Sequence, residues 1–348
     1  MIRKIQKLVL ASVRISRIEY WLKSMMQTRG AILMLHRVRE DRRHTPFQPN
    51  RLLEISPDFL EQVLGFLKNE NYDFVSIGDI SNRLESPGSR KFIAITLDDG
   101  YRDNFEVAKP VFEKFGAPYT VYVASGMIDG TAIPWWIILE EVIRIQDKIS
   151  FSHNGSKLDL FCESTTNKNH AFIILSRIFN SVSEETQRSL AEQFAQAYSF
   201  DIKAYQLNEM MNWDQVKELA RSGLATIGAH TDSHLSIARV TPEQARRDIQ
   251  IGMDRIFAKT GVRPAHFAFP YGKSRDAGPE EFSLAKEMGF LTSVTTRAGV
   301  LVEDHLDHLQ ALPRISVNGE FQTLNEFRSI VSGVPFFLAN RFSMLDVN

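Results

Sequence analysis

Two pairs of residues in this chain have the types and spacing for hydrolysis at a bound cation: Asp98 with Asp99, and His230 with His234. Residues 91–100 read KFIAITLDDG, an apolar run that ends in two adjacent carboxylates and a glycine that permits a sharp turn. Neighbouring carboxylates repel, so keeping both requires a cation or surroundings that separate their pKa values. Asp-Asp-Gly by itself is also an ordinary turn. Residues 224–234 read LATIGAHTDSH, again an apolar run ending in polar residues. Two imidazoles four residues apart meet one metal if the chain coils through a single turn, and Gly228 and Ala229 ease a close approach. A lone histidine carries no such implication. Together the four supply two imidazoles and a carboxylate, with positions open for water and substrate and one carboxylate to spare.

These residues need elements that bring them together. Strand-like runs occur at 31–35, 92–97, 119–123, 224–229, 266–269, 292–295 and 312–317. Most are continuously apolar, as in strands buried on both faces of a parallel sheet. Helical patterns alternate with them. Ser56-Pro57 opens one helix, and a second, through Phe105 and Phe112, is expected to kink at Pro110. A third runs from Trp213, Thr241-Pro242-Glu243-Gln244 is the capping box of a fourth, and Gly278-Pro279 starts a fifth. The alternation predicts an α/β barrel of about seven or eight units covering residues 30–348, in which chemistry sits at the carboxyl ends of the strands. Residues 127–212 break the pattern with a helix from Trp135, a hairpin turning at Asn154-Gly155 and two further helices. This is a mainly helical insertion in a barrel loop, either a lid over the substrate groove or a structural subdomain.

A net charge of −1 argues against a nucleic-acid partner. Cys162 is the single cysteine, so an intramolecular disulfide and a cysteine-rich metal site are both excluded. Residues 1–29 read as a basic amphipathic helix: Ile2, Ile5, Leu8, Val9 and Val13 share one face, with Arg3, Lys4, Lys7, Arg14 and Arg17 on the other. Through residues 1–26 such a helix either contacts anionic lipid headgroups or packs on the domain with its basic side solvated. No signal-peptide core is complete, and the expected location is cytoplasmic, including the inner face of the cell membrane.

Three segments resemble the motifs of the polysaccharide deacetylases: Thr96-Leu97-Asp98-Asp99-Gly100, His230-Thr231-Asp232-Ser233-His234, and Phe269-Pro270-Tyr271-Gly272. The resemblance spans roughly residues 30–320. It implies a distorted (β/α) barrel, Asp98 as general base, Asp99, His230 and His234 as metal ligands, and an oxyanion site at the backbone N–H of Tyr271, framed by Pro270 and Gly272. Zinc is the metal expected first, with iron, cobalt, manganese and nickel as alternatives. Two positions depart from the commonest family pattern. Ala268 stands where many members carry an arginine paired with the catalytic aspartate, and residues 312–318, LPRISVN, lack the usual histidine acid. Arg314, expected at the end of the last strand, is the candidate replacement. His36, closing the first strand, is a candidate proton donor, substrate contact or strand cap. His266 begins its strand and reads as structural, His305 and the remaining histidines get no role, and Trp135 and Trp136 read as packing or sugar-stacking residues.

The function implied is removal of an N-acetyl group from an amino sugar of a polysaccharide or a lipid-linked glycan precursor. A deformylase or other small-amide hydrolase of the same fold, and a non-catalytic glycan-binding relative, are the alternatives.

Overall fold

The computed structural model describes residues 26–40, 45–86, 88–153 and 155–347; the predicted N-terminal helix lies outside them. Seven parallel strands close into a ring in chain order: β1 (Gly30–Leu35), β5 (Phe92–Leu97), β6 (Tyr119–Val123), β9 (Ala225–Ala229), β10 (His266–Ala268), β11 (Thr292–Ala298) and β12 (Leu312–Ser316), with β12 pairing back onto β1. The predicted barrel and its strand count are both found. Between β1 and β5 lie two short strands, β2 (Arg37–Val38) and β3 (Glu54–Ile55), which pair with each other. A third, β4 (Asp73–Val75), adds to the lower half of β5 on the edge whose upper half holds β6. None of these three was legible, because two or three residues are too few for a periodic signal.

Alternation along the strands separates two apolar layers. On β1 and β5, Ala31, Leu33 and Leu35 and then Ile93, Ile95 and Leu97 pack outward in the large core beneath the helices. Ile32, Ala94, Tyr122, Ala268, Val294 and Leu312 fill the interior as a separate cluster. The inward row of β5 therefore continues Ala94, Thr96, Asp98, and that of β12 runs Leu312, Arg314, Ser316. Gly228 on β9 is required by the packing, since a Cβ there would lie 2.3 Å from the ring of the inward Tyr122.

The helix expected to kink at Pro110 contains a π-helical turn, Asn104–Ala108, followed by α-helix Lys109–Phe115. Proline lacks the N–H that would bond to residue 106, and the Lys109 N–H bonds instead to Asn104 O, five residues back.

Between β6 and β9 the chain forms helices Ser125–Ile128 and Trp135–Ile145, the hairpin β7 (Lys148–His153) and β8 (Ser156–Phe161), and helices Thr165–Ser181, Glu184–Ala197, Ile202–Glu209 and Trp213–Arg221. Ser164, Ser183 and Asp201 cap the first three of the four helices after the hairpin through their side chains. Helix Ile202–Glu209 and the C-terminal helices Leu324–Val331 and Val334–Ala339 were not read from the sequence. At six to eight residues they are too short for a full amphipathic stripe.

Candidate active site

The four residues converge at the carboxyl ends of β5 and β9. His230 Nε2 lies 3.4 Å and His234 Nε2 3.2 Å from Asp99 Oδ1, and the three donor atoms fall within 4.8 Å of one another. His230 Nδ1 is 2.7 Å from the Ala268 carbonyl oxygen. A carbonyl can only accept, so Nδ1 carries the proton and Nε2 presents a lone pair. Asp99 Oδ1 is buried and has no hydrogen-bond partner. An imidazole lone pair beside an unpartnered carboxylate oxygen is repulsive unless a cation stands between them, so this donor set fits a divalent metal.

Asp98 is the spare carboxylate. Arg314 forms a fork on it, Nη1 to Oδ1 and Nη2 to Oδ2, both at 2.7 Å. The same guanidinium donates to Thr96 Oγ1 at 3.1 Å and to Thr295 O at 2.8 Å. The arginine stands in mid-strand, third in β12, rather than at the strand's end as expected. From the inward row its long side chain reaches up inside the barrel, and it is 1% exposed. Burial pushes the Asp98 carboxyl up, but the Arg314 charge and its hydrogen bonds outweigh this and hold it below the ordinary value. His36 Nε2 lies 3.9 Å from Asp98 Oδ2, and burial lowers the His36 pKa below the ordinary histidine value.

Backbone strain is concentrated here. Asp99, Thr231, His234 and Tyr271 have φ of 77°, 58°, 56° and 60°, the left-handed region that non-glycine residues seldom occupy. Outside contacts hold these turns. Asp248, on helix Pro242–Thr260, accepts from the backbone N–H groups of Asp232 and Ser233 at 2.9 and 3.0 Å and from Ser233 Oγ at 2.6 Å. Gly252 on the same helix lets it approach, since a Cβ there would lie 2.9 Å from the Thr231 carbonyl. At the third turn, Thr296 Oγ1 donates to Tyr271 O at 2.5 Å, and Trp135 Nε1 donates to the Tyr271 hydroxyl at 3.1 Å. Among the described residues no protein acceptor takes the Tyr271 backbone N–H. Gly272 N–H bonds to Pro270 O at 2.7 Å, so Pro270 and Gly272 shape the turn.

A further network was invisible in the sequence. Arg37 Nε bonds Asp103 Oδ2 at 2.8 Å, and its Nη2 bonds Glu209 at the end of helix Ile202–Glu209. Asp103 Oδ1 accepts from Val38 N, and Asn104 Nδ2 donates to the His36 carbonyl at 2.7 Å. Arg102 donates to the Leu207 and Met210 carbonyls, and Met211 N to Gly100 O at 3.1 Å. The His36 carbonyl, the two residues after it and the turn after Asp99 are thus tied to one another and to the end of the insertion. These partners are scattered over some 170 positions and carry no local signature.

The site floors a cavity of about 420 Å³ whose apolar wall includes Met34, Leu52, Leu53, Trp135 and Trp136, with Lys273 and His36 also lining it. Both tryptophans are largely buried, and both face the cavity. They meet edge to face at 5.9 Å, and the Trp136 ring lies 5.0 Å from that of His234. The packing and ligand-facing readings therefore coexist. His266 and His305 are structural: burial lowers each to about 4, and His266 Nδ1 meets Thr292 Oγ1 at 2.8 Å.

A seven-stranded parallel barrel with an Asp-His-His cluster at its carboxyl mouth is the architecture that the motif resemblance implied. Residues 164–291, which include the second and third motifs, match the family model for polysaccharide deacetylase. YxkH of Bacillus subtilis, named as a candidate polysaccharide deacetylase, is 20% identical over 300 residues, covering 86% of this chain and 75% of that protein. The structure is similar to that of the Streptococcus pyogenes deacetylase PplD in complex with acetate (TM-score 0.56, 18% identity, 86% of this chain and 97% of that one). It is also similar to IcaB from Ammonifex degensii (TM-score 0.53, 19% identity, 87% and 97%). These two likenesses show the fold. Together with the family model matched over residues 164–291, they make the chain similar to the polysaccharide deacetylases.

Proposed function

We propose that the chain removes the N-acetyl group from an amino sugar of a glycan by metal-dependent hydrolysis. The observation that carries this is the division of labour between adjacent carboxylates. Asp99 Oδ1 is unpartnered beside two imidazoles, while Asp98 is held ionised, away from them, by the Arg314 fork. Asp99, His230 and His234 would hold the ion, with zinc as the first choice for this donor set. When bound, a divalent ion polarises an amide carbonyl and makes its water a nucleophile near neutral pH.

The protein's own part follows from the geometry. Asp98 takes the proton of the attacking water. Arg314 keeps that carboxylate charged and fixes its plane, leaving its free lone pairs toward the cavity. The unpaired Tyr271 N–H is available to the developing oxyanion. His36, neutral because burial lowers its pKa, is placed beside Asp98 to pass the proton to the departing nitrogen. The Arg314–Asp98 pair also weakens the case for a non-catalytic relative, which rested on the missing family arginine and histidine. Residues 1–26 support a finer reading: contact with anionic lipid at the cytoplasmic membrane face, and a lipid-linked substrate.

Acetate release from N-acetylated oligosaccharides, abolished by chelator and by Asp98→Asn, is the expected result. Formate released in its place from a formylated sugar would favour the small-amide alternative. No product from a broad panel of glycans would refute the reading.

A further inference from the structure

The second motif, His230-Thr231-Asp232-Ser233-His234, gives its two histidines to the cluster and leaves Asp232 without a part. Asp232 is nevertheless held by elements outside the motif. Its backbone N–H donates to Asp248 Oδ1 at 2.9 Å, and its carbonyl accepts from Gly126 N at 2.9 Å. Its Oδ1 accepts from Ser125 Oγ and lies 2.8 Å from Arg255 Nη1. The approach at Gly126 requires glycine, since a Cβ there would lie 2.6 Å from the Asp232 carbonyl oxygen. We propose that Arg255 is a positioning residue for the metal centre: by holding the Asp232 side chain it fixes the turn that aims His230 and His234 at one point. The assignment rests on the metal reading above.

Helix Pro242–Thr260 meets this turn with a single stripe. Asp248, Gly252 and Arg255 stand at i, i+4 and i+7, so they share a face. The stripe matches the turn group by group. The Asp248 carboxylate receives the N–H groups of Asp232 and Ser233, Gly252 lets the backbones touch, and the Arg255 guanidinium faces the Asp232 carboxylate. Arg255 Nη1 also lies 3.2 Å from Asp129 Oδ2, and Asp129 Oδ1 accepts from Trp213 Nε1 at 2.6 Å. Asp129 follows helix Ser125–Ile128, and Trp213 opens helix Trp213–Arg221. One guanidinium therefore joins the two ends of the segment between β6 and β9 to the turn that carries both histidines. The turn needs such a hold, because Thr231 and His234, on either side of Asp232 and Ser233, are both left-handed, and strain of this kind persists only where the surroundings fix it. Asp248 restrains the turn through its N–H groups; Arg255 restrains it through the Asp232 side chain. A partly exposed ion pair adds little to the stability of a whole fold, so its loss should be read at the ligands and not in global unfolding.

The test measures zinc affinity of the full chain by competition with a chromophoric chelator, beside the thermal midpoint of the metal-free protein. Arg255→Ala and Asp232→Asn should each weaken zinc binding by about tenfold, as loss of a support behind a ligand does. The metal-free midpoint should stay level with that of Arg246→Ala, a control on the same helix whose partner is Glu287. The double variant should bind zinc within about twofold of either single one, because both remove the same contact. Arg255→Lys, which keeps the charge, should bind within about threefold of the native protein. Asp232→Asn preserves the size of the side chain and carries the test alone if Arg255→Ala fails to fold. Native zinc affinity in either folded single variant, or losses that multiply in the double variant, overturns the assignment while leaving the metal reading intact. A metal-free midpoint well below the control in both single variants makes the contact merely structural and overturns it as well. Failure of the native chain to bind zinc overturns both readings.

Discussion

Replacing Arg314 probes the link between barrel interior and chemistry most directly. Asp98 and Arg314 are 2% and 1% exposed, and all the bonds in their fork are internal. Arg314→Met keeps the volume and removes the charge. A carboxylate left ionised and unpaired at this depth would cost about 3–5 kcal/mol, so Asp98 will bind a proton instead. At ~1.4 kcal/mol per pKa unit, a rise of roughly three units offsets about 4 kcal/mol of that cost. In the native protein Asp98 titrates below its ordinary value, so it adds stability above the unfolded pKa of about 3.9 and loses it as pH falls through the folded value. In the variant the sign reverses: the neutral acid is favoured at low pH, and stability drains away as pH rises from about 4 toward the new pKa. The expected result is a folded protein with turnover at pH 7 reduced by about 10²–10⁴, an acid limb of kcat moved to higher pH, and a thermal midpoint that falls between pH 5 and 8. Arg314→Lys restores the charge without the fork, so the acid limb should return while the rate recovers only in part. Arg314→Met protein that folds, turns over at the native rate and keeps its acid limb would show that Asp98 does not depend on this partner.

Asp98→Asn should lower turnover by roughly 10²–10⁴ with metal content unchanged, measured by acetate release beside elemental analysis; loss of the metal as well would place Asp98 among the ligands. His230→Ala and His234→Ala should each weaken zinc binding by at least tenfold in a competition titration, and chelation of the native protein should lower its thermal midpoint, by the equivalent of about 2.7 kcal/mol when free metal had stood at 100 times Kd. Glu209→Ala should reduce kcat several-fold with KM nearly constant, because it loosens Arg37 behind His36 and not the cavity; a change in KM alone would sink that positioning role. His266 and His305, each lowered to about 4, oppose acid conditions: the unfolded chain takes up protons below about 6.5 that the fold refuses, so each should cost about 3 kcal/mol of stability between pH 6.5 and 4. His266→Gln should flatten that limb in denaturant titrations, and an unchanged limb would refute the assignment.

The strands that deliver the site were legible because a strand buried on both faces announces itself as an unbroken apolar run, and each such run here ends in a polar group: Leu97 in Asp98, Ala229 in His230, Leu35 in His36. Spacing did the rest, since a single turn places His230 and His234 around one point. Arg314 was a candidate only through the family resemblance, as a replacement for the arginine that many members carry where Ala268 stands, and its mid-strand origin was not foreseen. What escaped is of another kind. Asp248, Asn104, Arg37 and Glu209 act through contacts set by tertiary packing alone, and each would pass in sequence as an ordinary surface residue of a helix or loop.

Those unforeseen partners explain why strained turns can persist at the mouth of a stable barrel. Asp99, Thr231, His234 and Tyr271 each hold a backbone conformation that costs roughly 1–3 kcal/mol, and every one of them bears on the cluster or its cavity. Relaxing any turn to ordinary geometry would swing a donor atom away from the shared point. The opposing contacts come from three directions: helix Pro242–Thr260 through Asp248 and Gly252, the neighbouring strand through Thr296, and the insertion through Trp135 and the Arg102 and Arg37 bonds. The insertion is bonded near both of its ends to the turns that carry the cluster. Its attachment through Met211 to Gly100 and through Glu209 to Arg37 makes it a brace for the first turn, and Trp135 and Trp136 make it a wall of the cavity.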